Sequence, residues 1–151
     1  MVIACVDIVF THQTQVLLAK RDRPPRADWW LIGGRMIAGE IPVEAVLRKA
    51  AEEAQMAQLT ADRCRWLGVY STCFANRHQP PQEHGLHSLN LVYSIELNPV
   101  EKAAIALDPE EYNTWQWIEP QQISRLLDRN KAMDLALLSI IRDWELSRPQ
   151  L

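Results

Sequence analysis

No stretch of the chain offers the roughly eighteen consecutive apolar residues that a bilayer-spanning helix needs, so a helical membrane anchor is not expected. The opening MVIACVDIVF carries neither a basic segment nor a small-residue cleavage site, so no secretory leader is expected either. Cysteine is scarce. Cys5, Cys64 and Cys73 are odd in number, scattered, and without the spacing of a metal knuckle. They read as reduced thiols buried as filler, which suits a cytoplasmic protein. Positive charge is not in excess: the net charge is −3, which argues against a nucleic-acid duplex as partner. Repeats, low-complexity tracts and dividing linkers are absent, and 151 residues suit one domain spanning 1–151.

What charge there is lies unevenly. Lys20, Arg21, Arg23, Arg26 and Arg35 crowd the first third, while acids dominate from Glu96 to Glu119. A local basic cluster in an acidic chain suits a small anionic ligand. Val2 to Phe10 is a Val/Ile-rich run broken by Asp7, and Val16 to Lys20 follows a polar turn, so the opening reads as a hairpin. Arg21 to Asp28 reads as a loop and Trp29 to Ile32 as a short strand ending at Gly33-Gly34. From Pro42, apolar residues recur at helical spacing (Val43, Val46, Leu47, Ala50, Ala54). Cys64 to Phe74 and Leu86 to Leu97 are strand-like, joined by a loop over Ala75 to Gly85. Pro99 to Ala106 reads as a short helix or link, and Thr114 to Ile118 as a strand. Pro120 to Leu127 and Ala132 to Leu146 read as helices, the second with a stripe of Leu135, Leu138, Ile141 and Trp144. Strands, helix, strands, helices: the order predicts an α+β domain, an α/β/α sandwich around a mixed sheet.

The densest chemistry lies between Gly34 and Met56. Its pattern is G-x5-E-x7-R-x3-E-E, made by Gly34, Glu40, Arg48, Glu52 and Glu53. Glu44, Arg48 and Glu52 are spaced four apart, so the arginine is expected to pair on both sides along one stripe. Lys49 and Glu53 form the neighbouring pair. Two adjacent carboxylates behind a Gly-Gly loop supply hard oxygen ligands of the kind Mg²⁺ takes when a diphosphate completes its shell. Gly33 and Gly34 would permit close backbone approach and an unusual φ, turning a carbonyl towards the ion.

This segment resembles the Nudix box, G-x5-E-x7-R-E-U-x-E-E-x-G-U with U aliphatic, and the resemblance extends from Val2 to about Leu127. It implies a Nudix-like α/β/α sandwich and metal-dependent hydrolysis of a nucleoside diphosphate linked to another moiety, with Mg²⁺ or Mn²⁺. On the same terms Glu53 is the principal metal-binding glutamate, Glu52 the carboxylate beside it, Gly33 a carbonyl ligand, Arg48 the orienting arginine and Glu40 the loop anchor. The sequence departs from the box at Lys49, where a glutamate is expected, at Gln55, where a glycine is, and at Ile32, where a proline often stands. Lys49 removes a metal oxygen and brings in a cation, so one ion is expected rather than two or three.

The branch that also lacks this glutamate is the GDP-mannose mannosyl hydrolases. Lys20-Arg21-x-Arg23-Pro24, Gly33-Gly34-Arg35, Gly68-Val69-Tyr70 and Tyr112 to Trp117 are similar to it. That likeness implies an NDP-sugar substrate, Arg21 and Arg35 on the diphosphate with Gly34 beside them, Asp7 on the base, and a possible homodimer. Bidentate binding of phosphate oxygens by two guanidiniums makes physical sense. The branch's catalytic histidine is replaced by Tyr112, a poor base at neutral pH. Glu111 is the preferred base, with His84, His87 and Tyr112 as alternatives, and attack at phosphorus or at the anomeric carbon stays open. The competing class is a Nudix-fold binding or regulatory module with little turnover, a reading that Lys49 favours.

Overall fold

The computed structural model describes residues 1–21, 28–74 and 86–149, with the side chains of Phe74 and Leu86 excepted. Arg23, Pro24, Arg26, His78 and His84 lie outside the described residues, as do most of the two loops expected there. The strands are β1 (Val2–His12), β2 (Gln15–Lys20), β3 (Trp29–Trp30), β4 (Ile32–Arg35), β5 (Arg65–Phe74), β6 (Leu86–Glu96) and β7 (Thr114–Ile118). The helices are α1 (Pro42–Ala54), α2 (Pro99–Ala104), α3 (Pro120–Leu126) and α4 (Ala132–Ser147), with a 3₁₀ turn at Ala61–Arg63 that the sequence pattern did not suggest.

One mixed sheet runs β3-β2-β1-β6-β5, with β4 on β1 and β7 on β2. The β1–β6 ladder is parallel from Val2↔His87 to Thr11↔Glu96, and the other pairings are antiparallel. The expected hairpin forms, turning at Gln13 with φ 55°, but β1 and β2 share only Thr11↔Val16 and His12↔Gln15. Beyond these, Cys5 to Ile8 of β1 pair with β4, while β2 turns to β3 and β7. The Gly33-Gly34 pair is therefore not a loop after a strand. It lies inside β4, opposite Asp7 and Val6.

Side chains alternate across a strand, so β1 divides its residues between two cores. Val6, Ile8 and Phe10 join Ala45, Val46, Ala50 and Ala54 of α1 on one face. Val9, Leu18 and Trp30 join Leu137, Ile140, Ile141 and Trp144 of α4 on the other. The stripe expected on α4 is corrected by this packing: Ile141 and Trp144 are buried, but Leu135 is exposed and Leu137 and Ile140 fill the core. Pattern alone left the phase of so apolar a helix open by one position. The Tyr70 hydroxyl donates to Asp143 at 2.6 Å, tying α4 to β5. Among the described residues no helix is long and apolar enough to cross a membrane.

Candidate functional site

The site is assembled around α1. Pro42 occupies its first turn, where the missing N–H costs nothing. Ile41 at the N-cap has no side-chain oxygen, and only the Glu44 half of a capping box is made, through Ile41 N–H at 3.1 Å. Glu44 is thereby turned away from Arg48, contrary to the stripe expected from spacing. Arg48 instead reaches back to the loop: Nε and Nη2 bind the two oxygens of Glu40 at 3.0 and 2.6 Å, and Nη2 also donates to the Arg35 carbonyl at 3.0 Å. Its remaining nitrogen meets Glu52 at 3.2 Å. Glu40 also accepts from Ile37 N–H at 2.6 Å. The Arg48 guanidinium, then that N–H, hold the Glu40 carboxyl down at about 2. Gly39, with φ 95°, gives the loop its left-handed residue.

One turn further along α1, Glu53 is buried, and both of its oxygens are engaged. Oε2 accepts from the Tyr112 hydroxyl at 2.6 Å and lies 3.7 Å from Arg21. Oε1 is 3.3 Å from the Lys49 ammonium, which is 3.9 Å from Glu52 as well. Arg21 Nη2 also donates to Tyr112 Oη at 2.9 Å and to the Gly33 carbonyl at 3.1 Å, while its guanidinium carbon stacks 4.9 Å from the Tyr112 ring centre. One guanidinium nitrogen thus gathers Gly33, Tyr112 and Glu53. Burial lowers the Arg21 pKa, but Tyr112 and the carboxylates Glu53 and Glu111 outweigh it and the net shift is upward. Burial, then the Glu53 charge, push the Tyr112 phenol well above its ordinary value, against a smaller opposing pull from Arg21. It stays protonated and donates.

The two glycines matter for space rather than for φ, neither being left-handed. A Cβ on Gly33 would lie 2.1 Å from the Val6 carbonyl oxygen, and one on Gly34 would lie 2.9 Å from Lys49 Nζ. The unusual φ expected there is not present.

The structure brings together Glu52, Glu53, Arg48, Glu40, Arg21, Gly33 and Gly34, and adds Lys49 and Tyr112. Glu111 is exposed on the loop that carries Tyr112, within electrostatic reach of Arg21. That loop is fastened to the end of α1 by Ala106 N–H to Ala54 O at 3.3 Å and Asp108 N–H to Glu53 O at 2.9 Å. Arg35 is exposed, makes no side-chain hydrogen bond or ion pair among the described residues, and by strand alternation points to the face away from α1. Asp7 is on that far face too. It is wholly buried, accepting from Trp30 Nε1 at 3.1 Å and Asn90 Nδ2 at 2.5 Å, in a network with Thr72 and Ser88. His87 is held by Ser71 at 2.6 Å in the β5–β6 ladder. Tyr112 as the partner of Glu53 was missed by sequence reasoning, which weighed it only as a base.

Among the described residues no three His, Cys, Asp or Glu side chains cluster to hold an ion by themselves. Glu53 and Glu52 nevertheless share Lys49 at 3.3 and 3.9 Å, and Glu53 and the Gly33 carbonyl share Arg21 at 3.7 and 3.1 Å, so hard oxygen donors line the same two cations. Such a set fits a single Mg²⁺-like ion whose shell a diphosphate completes, and is too small for several.

A mixed sheet between helix layers, with acids on a helix behind a glycine-containing strand and an arginine clamping helix to loop, defines a hydrolase of the Nudix type. The chain belongs to the NUDIX domain family, whose model matches residues 2–138. Members generally use divalent metal ions. The chain is similar to an RNA pyrophosphohydrolase of Gluconobacter oxydans, 27% identical over 148 residues that cover 90% of this chain and 87% of that protein. It shares the fold of the MutT NUDIX hydrolase from Burkholderia pseudomallei, at 22% identity and a TM-score of 0.67, over 91% of this chain and 98% of that one. It shares it also with the NUDIX domain of Shewanella oneidensis NrtR complexed with ADP ribose, at 18% identity and a TM-score of 0.66, over 96% and 89% of the two chains.

Proposed function

We propose that the chain hydrolyses a nucleoside diphosphate linked to another moiety, with water attacking phosphorus, and that NDP-sugars such as GDP-mannose are the substrate class to test first. The observation that carries the choice of bond is the Tyr112 hydroxyl donating to Glu53 at 2.6 Å. Attack on the sugar carbon in the comparable branch needs a base at this position, and a buried phenol that is already a donor does not take a proton. Support for a diphosphate comes from the relatives: one is named a pyrophosphohydrolase and one NUDIX domain holds ADP ribose. Support for the sugar comes only from the pattern of Lys20-Arg21 and Gly33-Gly34-Arg35.

In this reading Arg21 and Lys49 supply the positive charge that meets the diphosphate, and Arg35, which sequence alone put there, has no part because it points to the other face of the sheet. Tyr112 keeps Glu53 oriented, and Arg48 with Glu40 holds the loop on the helix. Mg²⁺ or Mn²⁺, when bound, supplies charge neutralisation at phosphorus and activates water; Glu52, Glu53 and the Gly33 carbonyl are the groups that would hold it. Glu111 is the carboxylate assigned to accept the proton. A cytoplasmic enzyme acting on small molecules completes the reading.

Products of GDP-mannose, ADP-ribose and dNTPs formed in ¹⁸O water test substrate and bond together. Label in a phosphate-containing product is expected, and label in free sugar would overturn attack at phosphorus. Glu53→Gln is expected to abolish turnover while leaving the circular dichroism spectrum intact; wild-type rates would remove Glu53 from the site. A binding module is favoured by one observation, the cations already seated on Glu53. No turnover of any substrate at high enzyme and Mg²⁺, with nucleotides still raising the Tm, would establish it instead.

A further inference from the structure

We infer that Lys49 is a built-in counter-ion, whose ammonium supplies the charge that a divalent ion would otherwise bring to Glu53 and must be displaced before that ion binds. The inference takes the location of the site from the hydrolase reading but needs neither its substrate nor its bond. A buried carboxylate is tolerated only with compensating charge and hydrogen bonds. Glu53 has them without metal: Lys49 at 3.3 Å on one oxygen, and the Tyr112 hydroxyl at 2.6 Å with Arg21 at 3.7 Å on the other.

The ammonium is not loosely placed. It lies 3.3 Å from Glu53 and 3.9 Å from Glu52, a bridging position between the two carboxylates proposed as ligands. It fits there because residue 34 is glycine, where a Cβ would lie 2.9 Å from both Cε and Nζ. The Lys49 side chain is mostly covered, its relative exposure being 17%. A doubly charged ion reaching Glu53 would meet this like charge at near-contact distance, where repulsion is strongest. Coexistence is therefore worse than exchange. A lysine stem, flexible and ending in a point charge, is suited to exchange, since it can swing from carboxylate to phosphate when an anion arrives. Ion and anionic substrate would then enter together, and the ion alone would bind weakly.

Mn²⁺ alone is the probe, titrated into wild type, Lys49→Met, Lys49→Arg and Lys49→Glu, with the free ion followed by electron paramagnetic resonance. Lys49→Met is expected to bind Mn²⁺ at least about tenfold more tightly than wild type, and Lys49→Glu more tightly still. Lys49→Arg, which keeps the charge, is expected to stay weak. In chelator, Lys49→Met is expected to melt below wild type, with Mn²⁺ restoring more of its Tm than Mn²⁺ adds to wild type. Equal Mn²⁺ affinities for wild type and Lys49→Met, or an arginine variant as tight as the methionine one, would overturn the inference. Lys49→Gln replaces Lys49→Met if the latter does not fold. Turnover of GDP-mannose, ADP-ribose and dNTPs measured alongside separates the two readings. Tightened Mn²⁺ binding with no turnover in any variant sinks the hydrolase and leaves the counter-ion; turnover with equal affinities does the reverse.

Discussion

Tyr112 lies beside the candidate carboxylates, and the first question it raises is whether a phenol can be a base. The fold answers a different question. With 2% exposure and its hydroxyl on Glu53, the ring is part of the wall that keeps that carboxylate in place. Tyr112→Phe removes the hydrogen bond to the charged, buried Glu53 and the one accepted from Arg21, while preserving the ring. It is expected to cost about 1.5–3 kcal/mol in urea unfolding, and a loss under half of that would show that Arg21 and Lys49 suffice for Glu53. The contact joins residues 59 apart in sequence, so no local pattern announces it. Lys49 and Glu53, four apart on one helix, were legible from spacing alone.

At the scale of the element, α1 shows which local rules this chain keeps and which it breaks. Its start keeps Pro42 and Glu44 but offers no side-chain oxygen at Ile41. Its end breaks a stronger preference. Gln55 takes up the left-handed conformation, φ 56° and ψ 36°, that helix ends most often give to glycine, and Met56 N–H bonds to the Ala50 carbonyl at 3.0 Å. The helix thus stops where the pattern says it should, with a residue poorly suited to the turn. Gln55→Gly is expected to stabilise the protein by about 0.5–1 kcal/mol, the relief of left-handed strain outweighing the greater freedom of the unfolded glycine. Urea midpoints of the two proteins check it; an unchanged or lower midpoint would mean that Gln55 is held there by contacts that repay the strain.

Across the whole molecule, the sheet separates two jobs. The α1 face carries the carboxylates with Lys49, Arg21 and Tyr112, while the α4 face carries an apolar core and the buried Asp7–Asn90 network. Leu137→Ala, at a position with no exposure on the α4 face, is expected to cost about 2–5 kcal/mol. Turnover per folded molecule is expected to remain that of wild type, measured with the unfolding curve of the same preparation. A fall in turnover out of proportion to unfolding would show that the two faces are coupled through β1.

The chain by itself determined what is written in short range: the strand and helix order, the start of α1 at Pro42, the Gly34 to Glu53 pattern, and the anomaly at Lys49. These are set by period, proline and glycine, which act within a few residues. The tertiary structure alone decided which face of the sheet each residue serves. It put Asp7 behind the sheet rather than beside Glu53, placed Gly33 and Gly34 inside β4, and rotated the buried stripe of α4 to Leu137 and Ile140. It also turned Arg21 and Tyr112 onto the carboxylate that Lys49 already reaches along the helix, because burying Glu53 under the loop of Tyr112 demands compensating partners from wherever the fold can bring them. That demand comes from solvent exclusion, and no stretch of sequence read alone contains it.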